Sequence, residues 1–316
     1  MATKASPGTP RTEQQAAGRR AARVGVQIAR QVQRVTAVTH EVTMRDVLFK
    51  CCFVPRPPPG EEEHGGDMAA NHKKFLIFFD FDETIINENS DNSVVRAAPG
   101  QKLPAWLRDT YREGHYNEYM GRVLSYMGDQ GVREEGLRTI IEKIPVSPGV
   151  PSIFSLLRAH HDLFEVVLIS DSNMYVIETW LQAAGLRQLF RCILTNPASF
   201  DARGYLVLKP YHTHACQRCP ANMCKQKIVS EYLRQRQEER AGRPFDKLFY
   251  VGDGANDFCP SVIFGPADTV FPRHDYPMHK LIKEMQQSQP GSFKATVVPW
   301  QSGEVIATYL KTFLDR

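Results

Sequence analysis

The sequence predicts an α/β protein: a Rossmann-like parallel sheet with helices on both faces, carrying a helical cap inserted after its first strand. Three observations predict it. Apolar runs of strand length recur at 74–79, 164–169 and 247–251, each stopping abruptly at polar residues, as strands buried on both faces do. From residue 146 onward, helical and strand patterns alternate, which implies parallel pairing through right-handed crossovers. Between Thr84 and about Pro145 no convincing strand pattern occurs, so that stretch reads as a cap over the first strand's end.

Residues 1–72 read as an appendage. They begin small, polar and basic and end in Pro55-Arg-Pro-Pro-Pro-Gly-Glu-Glu-Glu-His-Gly-Gly, a composition that cannot bury a core and is expected to be disordered. Val24, Ile28 and Val32 recur at helical spacing among arginines, which also suits a targeting or membrane-surface helix. The core is assigned to 73–86 and 146–316, and the cap to 87–145. Within the cap, helices would carry Trp106, Tyr111, Tyr116, Tyr119 and Tyr126. Beyond it, 150–160 suits a helix and 164–171 a buried strand. Residues 173–184 suit a helix closed by Gly185, 190–195 a third strand, 201–209 a polar hairpin and 222–240 a charged helix. Weaker strands are expected at 267–271 and 294–298.

Composition bounds the function. The 316 residues are 42% hydrophobic and 23% charged, ordinary values for a globular protein, and no run approaches the length of a membrane span. The net charge of +4 is uneven, since nine basic and three acidic residues in 1–50 leave −2 for the remainder. That balance argues against a nucleic-acid surface on the folded part. Seven cysteines, an odd number with no secretory signal, fit a reducing, cytoplasmic setting.

Chemistry concentrates at strand ends. Asp80 and Asp82, spaced by two, lie on one side of the first strand's end. Two carboxylates so close repel unless a divalent cation or a shared proton intervenes; the bland alternative is a helix N-cap with a spare acid. Ser170-Asp171 ends the second strand, and Gly252-Asp253-Gly254-Ala-Asn256-Asp257 follows a later one. In a parallel sheet all three ends share one edge, where such sheets bind ligands.

These residues resemble the haloacid-dehalogenase-like phosphohydrolases, whose four motifs appear in order: Asp80-Phe-Asp82-Glu-Thr84, Ser170, a lysine before the last motif strand, and Gly252-Asp253-Gly254-Ala-Asn-Asp257. The resemblance implies a Mg²⁺-dependent phosphomonoester hydrolase. Asp80 would be the nucleophile that forms an aspartyl-phosphate, and Asp82 the acid and base. Ser170 and a lysine would bind the phosphoryl group, and Asp80, the Asp82 carbonyl, Asp253 and Asp257 would hold the metal. Lys225 and Lys227 both fit the third motif; Lys225 is chosen because its Lys-x-Lys-Ile-Val setting resembles that of phosphoserine phosphatases.

Within the family, Glu88-Asn-Ser-Asp91, Arg96-Ala-Ala-Pro-Gly, Tyr116-Asn-Glu-Tyr-Met and Cys219-Pro-Ala-Asn-Met-Cys-Lys225 resemble the branch that acts on phosphocholine and phosphoethanolamine. That resemblance implies small phosphomonoesters with cationic head groups as partners, and a location in the matrix vesicles of mineralising cells. A cationic head group needs an acid and an aromatic face. Asp91 and Asp171 are expected to supply the acids, and Tyr116 and Tyr119 the faces, core packing being the alternative for the tyrosines. Phosphatases of pyridoxal phosphate or phosphoserine are the competing enzyme readings.

One segment stands apart. His212, His214, Cys216, Cys219 and Cys224 put five soft ligands into thirteen residues, a zinc-type spacing just before Lys225. From a different class, then, the chain could be a zinc-stabilised binding module on an inactive phosphatase fold; intact Asp80, Asp82, Ser170 and Asp253 argue against that.

Overall fold

The computed structural model describes residues 73–314. The expectations for residues 1–72 lie outside them. Strand β1 (Phe75–Phe79) is followed by four helices, α1 (Ser90–Val94), α2 (Ala105–Arg108), α3 (Tyr116–Asp129) and α4 (Glu134–Ile141). Then come α5 (Val150–Ala159), β2 (Phe164–Asn173), α6 (Met174–Ala183), β3 (Cys192–Asn196), and a hairpin of β4 (Ala198–Phe200) and β5 (Leu206–Leu208). The chain ends with α7 (Lys225–Glu239), β6 (Lys247–Gly252), α8 (Ala255–Ser261), β7 (Thr269–Pro272), α9 (Pro277–Ser288), β8 (Thr296–Val297) and α10 (Gly303–Lys311).

Six strands form one parallel sheet in the order β3-β2-β1-β6-β7-β8. The chain winds outward from β1 to β3, then returns to the other side of β1. The resulting switch point, flanked by β1 and β6, opens a crevice at the strands' carboxyl ends.

Alternation along β1 explains why both faces are covered. Phe79 points to one face and meets Phe154 of α5 at 5.6 Å between ring centroids, whereas Phe78 points to the other and meets Tyr232 of α7 at 5.7 Å. All five residues of β1 are buried, which explains its uninterrupted apolar sequence. Local signals set the helix ends. The Asn173 side chain accepts the Val176 N–H at the start of α6, Ser302 accepts that of Glu304 before α10, and Pro277 opens α9.

The helices α1–α4 leave and rejoin the core through adjacent segments: Ile86 bridges Val146, and the Ser147 N–H donates to the Ile85 carbonyl at 2.9 Å. Helix α3 buries Tyr119, Met120, Val123, Leu124 and Met127, a stripe at helical spacing. The hairpin reaches this insertion from the core side. Tyr205, in its turn, lies so close to Gly128 of α3 that a Cβ there would stand 2.5 Å from its ring, and its hydroxyl bonds Asp129 at 2.9 Å.

Several element bounds differ from the sequence expectation. The helix expected from residue 222 begins at Lys225, because residues 220–223 turn through the Met223 N–H and the Pro220 carbonyl at 3.2 Å. The hairpin starts at Ala198, earlier than its polar turn suggested. The last two strands shorten to 269–272 and 296–297, the second lying at the edge of the sheet. Among the described residues no helix is long and apolar enough to cross a membrane.

Candidate active site

The aspartate pair sits where the sheet geometry places it. Backbone pairing puts Phe79 beside both Leu168 of β2 and Val251 of β6, and the Asp80 N–H donates to the Val251 carbonyl at 2.9 Å. The motif residues at the ends of β1, β2 and β6 therefore line one crevice.

Lys225, the first residue of α7, enters that crevice from its own helix. Its ammonium is 1% exposed and donates to Asp80 Oδ1 and Asp257 Oδ1, each at 2.7 Å. Burial opposes the charge, but Asp257 and Asp80 outweigh it and hold the lysine pKa above its ordinary value. Lys227, by contrast, is exposed and donates to the Thr213 carbonyl at 3.3 Å. Of the two candidate lysines, Lys225 is the one that lies among the motif aspartates.

Around this bridge the site is dense in negative charge. Burial, with repulsion from Asp257, pushes Asp80 up to about 7 despite Lys225. Burial, with Asp80 and Asp257 adding repulsion, pushes Asp253 up to about 9. One oxygen each of Asp80, Asp253 and Asp257 lies within 4.8 Å of the other two. Ionised together, three buried carboxylates would outnumber the one ammonium, so a divalent cation would favour their ionised forms, and all-oxygen donors suit a hard cation such as Mg²⁺. The residues present therefore fit that ion.

Asp257 has a further occupation that the sequence did not reveal. Its Oδ1 also accepts the Tyr250 hydroxyl at 2.6 Å, and its Oδ2 accepts the N–H groups of Asp253 at 3.2 Å and Gly254 at 2.9 Å. It is foremost a clamp on Lys225 and on the loop carrying Asp253, which leaves Asp80 and Asp253 as the freer carboxylate donors. The same clamp explains Gly252, where a Cβ would stand 2.6 Å from the Asp257 carboxyl carbon. Thr84 adds a hydroxyl to Asp253 Oδ1 at 3.2 Å.

Asp82 meets the start of α1. Its Oδ1 accepts the Ser90 N–H at 3.0 Å, and burial, then the charges of Asp91 and Asp80, raise its pKa well above the ordinary carboxyl value. Burial and like charge so placed favour the protonated form of this carboxyl, as a general acid requires. Ser170 is completely buried at the end of β2, where its hydroxyl accepts the Ser172 N–H at 3.2 Å. Asn196 holds the last residues of β2 by donating to the carbonyls of Asp171 at 2.6 Å and Ser172 at 2.9 Å.

A second acidic group lies under the insertion. Asp91, on α1, is pushed up to about 7 by burial and then by Asp171. The hydroxyl of Tyr116, at the start of α3, lies in the combined field of Asp91, Asp82 and Asp171, and burial and those charges raise its pKa. Tyr116 and Tyr119 are 5.9 Å apart by ring centroid, and Tyr111 stands 6.1 Å and 5.7 Å from them. The tyrosines are thus both packed together and, through Tyr116, turned toward the acids.

The Cys/His segment needs correction. Neither histidine belongs to a ligand cluster: His214 Nδ1 accepts the Cys216 N–H at 3.1 Å while its Nε2 pairs with the Pro220 carbonyl at 2.8 Å, and His212 Nε2 accepts the Cys224 N–H at 3.2 Å. The sulfurs of Cys216, Cys219 and Cys224 gather instead with that of Cys259, on α8. Spacing could not reveal Cys259, because only the fold brings α8 to this loop. Arg273, past the end of β7, was also missed; it donates to the Glu83 carbonyl and to Asn87 Oδ1, the latter at 2.6 Å, and so ties down the loop after Asp82.

Comparisons with known proteins find phosphatases. A family model described as Putative Phosphatase matches residues 75–314. The chain is 54% identical to the probable phosphatase phospho1 of Danio rerio, over 86% of this chain and 100% of that one. It is 55% identical to the phosphoethanolamine/phosphocholine phosphatase of Homo sapiens, over 79% of this chain and 93% of the relative. A pyridoxal phosphate phosphatase of Homo sapiens is 40% identical over 75% and 98%. Among solved structures, a substrate-bound phosphoserine phosphatase superposes with a TM-score of 0.50 at 17% identity, covering 76% of this chain and 99% of that one, a likeness of fold.

Proposed function

The chain belongs to the Putative Phosphatase family, and on that premise we propose that it hydrolyses phosphocholine and phosphoethanolamine through an aspartyl-phosphate on Asp80. The observation that carries this reading is the Lys225 bridge, with Nζ 2.7 Å from Asp80 Oδ1. It fixes one carboxylate oxygen and leaves the other to attack phosphorus.

In the first step an Asp80 oxygen bonds to phosphorus as the ester P–O bond breaks, and Asp82 gives its proton to the departing alkoxide. In the second, Asp82 takes a proton from water, whose oxygen attacks phosphorus and frees Asp80 and inorganic phosphate. Lys225 and Ser170 hold phosphoryl oxygens and counter their charge. When bound by Asp80, Asp253 and the Asp82 carbonyl, Mg²⁺ would supply the remaining positive charge that lets an anionic nucleophile meet an anionic ester.

The head group would lie over Asp91 and Asp171, with Tyr116 and Tyr119 as aromatic walls. Choline, which has no N–H, gains from charge and ring faces; ethanolamine additionally donates hydrogen bonds to the carboxylates. The carboxylate of phosphoserine would be repelled by the same acids. Pyridoxal phosphate, the substrate named for more distant relatives, brings no comparable fixed cation. A matrix-vesicle location and a part in mineralisation belong to this reading, and fractionation of mineralising cells would test them.

The deciding experiment is a panel of phosphocholine, phosphoethanolamine, pyridoxal phosphate and phosphoserine, assayed with and without Mg²⁺ for the wild type and Asp80→Asn. The reading requires Mg²⁺-dependent preference for the first two and loss of turnover in the variant. Preference for pyridoxal phosphate would replace it with the second enzyme reading, and turnover surviving in Asp80→Asn would sink the mechanism.

A further inference from the structure

We propose that Cys216, Cys219, Cys224 and Cys259 form a tetrahedral four-thiolate site for one zinc ion, which fastens the loop carrying Lys225 to the helix carrying Asp257. Cys216 Sγ stands 3.7 Å from both Cys219 Sγ and Cys259 Sγ, and all four sulfurs lie within 4.8 Å of one another. A tetrahedron with Zn–S bonds of about 2.3 Å has sulfur–sulfur edges of roughly 3.8 Å. A disulfide would need about 2.05 Å, and all four cysteines are free. Two of the separations match that edge, and the others stay within 4.8 Å.

The surroundings are shaped for this. His214, with its proton on Nε2 for the Pro220 carbonyl, uses Nδ1 to accept the Cys216 N–H, so the imidazole braces the 214–220 turn from within. His212 does the same for the Cys224 N–H. Cys224 occupies the N-cap position of the fifteen-residue helix α7, so a metal held by its sulfur would be fixed directly to the start of that helix. Cys216 and Cys219 are half-buried whereas Cys224 and Cys259 are buried, leaving an entry path on one side and a dry anchor on the other. On binding, the thiol protons leave to solvent as four S–Zn bonds form, with no change of oxidation state.

The position gives the ion its purpose. Cys224 immediately precedes Lys225, and Cys259 lies two residues after Asp257. Helices α7 and α8 thus present a charge pair 2.7 Å apart directly beside the thiolate cluster. A metal joining the two backbones would hold that pair in register independently of substrate or Mg²⁺.

The test is metal content, which does not depend on phosphatase activity. The full chain, purified without chelator, is expected to carry one zinc per chain by elemental analysis. Cys216→Ser and Cys259→Ser should each lower that to a small fraction, while Cys192→Ser, altered in β3 outside the cluster, should retain it. Should the serine variants fail to fold, Co²⁺ exchanged into the wild type decides, the expected spectrum being the charge-transfer and tetrahedral ligand-field bands of a four-thiolate site. Wild-type protein without stoichiometric zinc and without those cobalt bands, a disulfide among the four, or zinc unchanged in both serine variants overturns the proposal.

Discussion

The Lys225 ammonium donates to Asp80 Oδ1 at 2.7 Å and in the same geometry to Asp257 Oδ1 at 2.7 Å. One buried cation therefore couples the first and fourth motifs across 177 residues of sequence. Lys225→Ala leaves two carboxylates without their counter-charge and removes a phosphoryl partner. It should lower kcat roughly 10²–10³-fold, the range for losing one preorganised electrostatic contact. Lys227→Ala should stay within about twofold of wild type, because Lys227 reaches only an exposed carbonyl. Steady-state kinetics on phosphocholine would compare them, and a larger loss in Lys227→Ala would reverse the assignment.

Asp253 meets Thr84 on one side and the Asp80 carboxylate's field on the other. Removal of divalent ions should abolish turnover, and Mg²⁺ should restore it. Asp253→Asn keeps the shape but deletes a charged ligand, so half-maximal activation should require roughly tenfold more Mg²⁺ or higher. Titrating initial rates with Mg²⁺ after chelation checks this. An unchanged activation midpoint would remove Asp253 from the metal's ligands.

Asp91 sets a pH dependence. Asp91 is pushed up to about 7 by burial and then by Asp171, so it is neutral below that pH and anionic above it. A cationic head group binds the anion. KM for phosphocholine should therefore fall as pH rises through about 7, whereas KM for a phosphate ester with a neutral head should not follow that step. Asp91→Asn should flatten the phosphocholine profile and raise KM roughly tenfold, the loss of a desolvated cation contact of about 1–2 kcal/mol. Parallel profiles for the two esters would remove Asp91 from the head-group site.

Much of this was legible in the sequence, and the remainder was hidden for identifiable reasons. Asp80, Asp82, Ser170 and Asp253 announce themselves because each ends an apolar strand, and a parallel sheet brings such ends to one edge. Lys225 could not be separated from Lys227 by spacing alone; the helix N-terminus at Cys224 aims the first inward and the second toward solvent. Tyr250 reads as one more core residue in an apolar run, yet its hydroxyl bonds Asp257 at 2.6 Å. Cys259 carried no pattern at all, since its partners are 35 or more residues away. The histidines were over-read for the converse reason: proximity in sequence to cysteines suggested ligation, whereas their ring nitrogens hold backbone N–H groups.

Glu165 tests how the sheet is held to α7. This acid at the start of β2 is 6% exposed and pairs with Leu76 of β1 in the register, where an apolar residue would be expected. Its Oε1 accepts the Tyr232 hydroxyl at 2.7 Å and Arg236 Nε at 2.8 Å, and Oε2 accepts Arg236 Nη2 at 2.6 Å. Glu165→Ala would strand a buried tyrosine hydroxyl and a mostly buried guanidinium, so unfolding in urea at fixed Mg²⁺ should show a loss of about 3 kcal/mol or more. Glu165→Gln, which keeps two hydrogen-bonding atoms but no charge, should lose less. Replacing all three partners with apolar residues, as in Glu165→Leu with Arg236→Met and Tyr232→Phe, should recover much of the deficit, because the cost lies in the unpaired groups left behind and not in the absence of the pair. If the triple variant is no more stable than Glu165→Ala, the ion pair itself, and not the avoidance of stranded polar groups, joins α7 to the sheet.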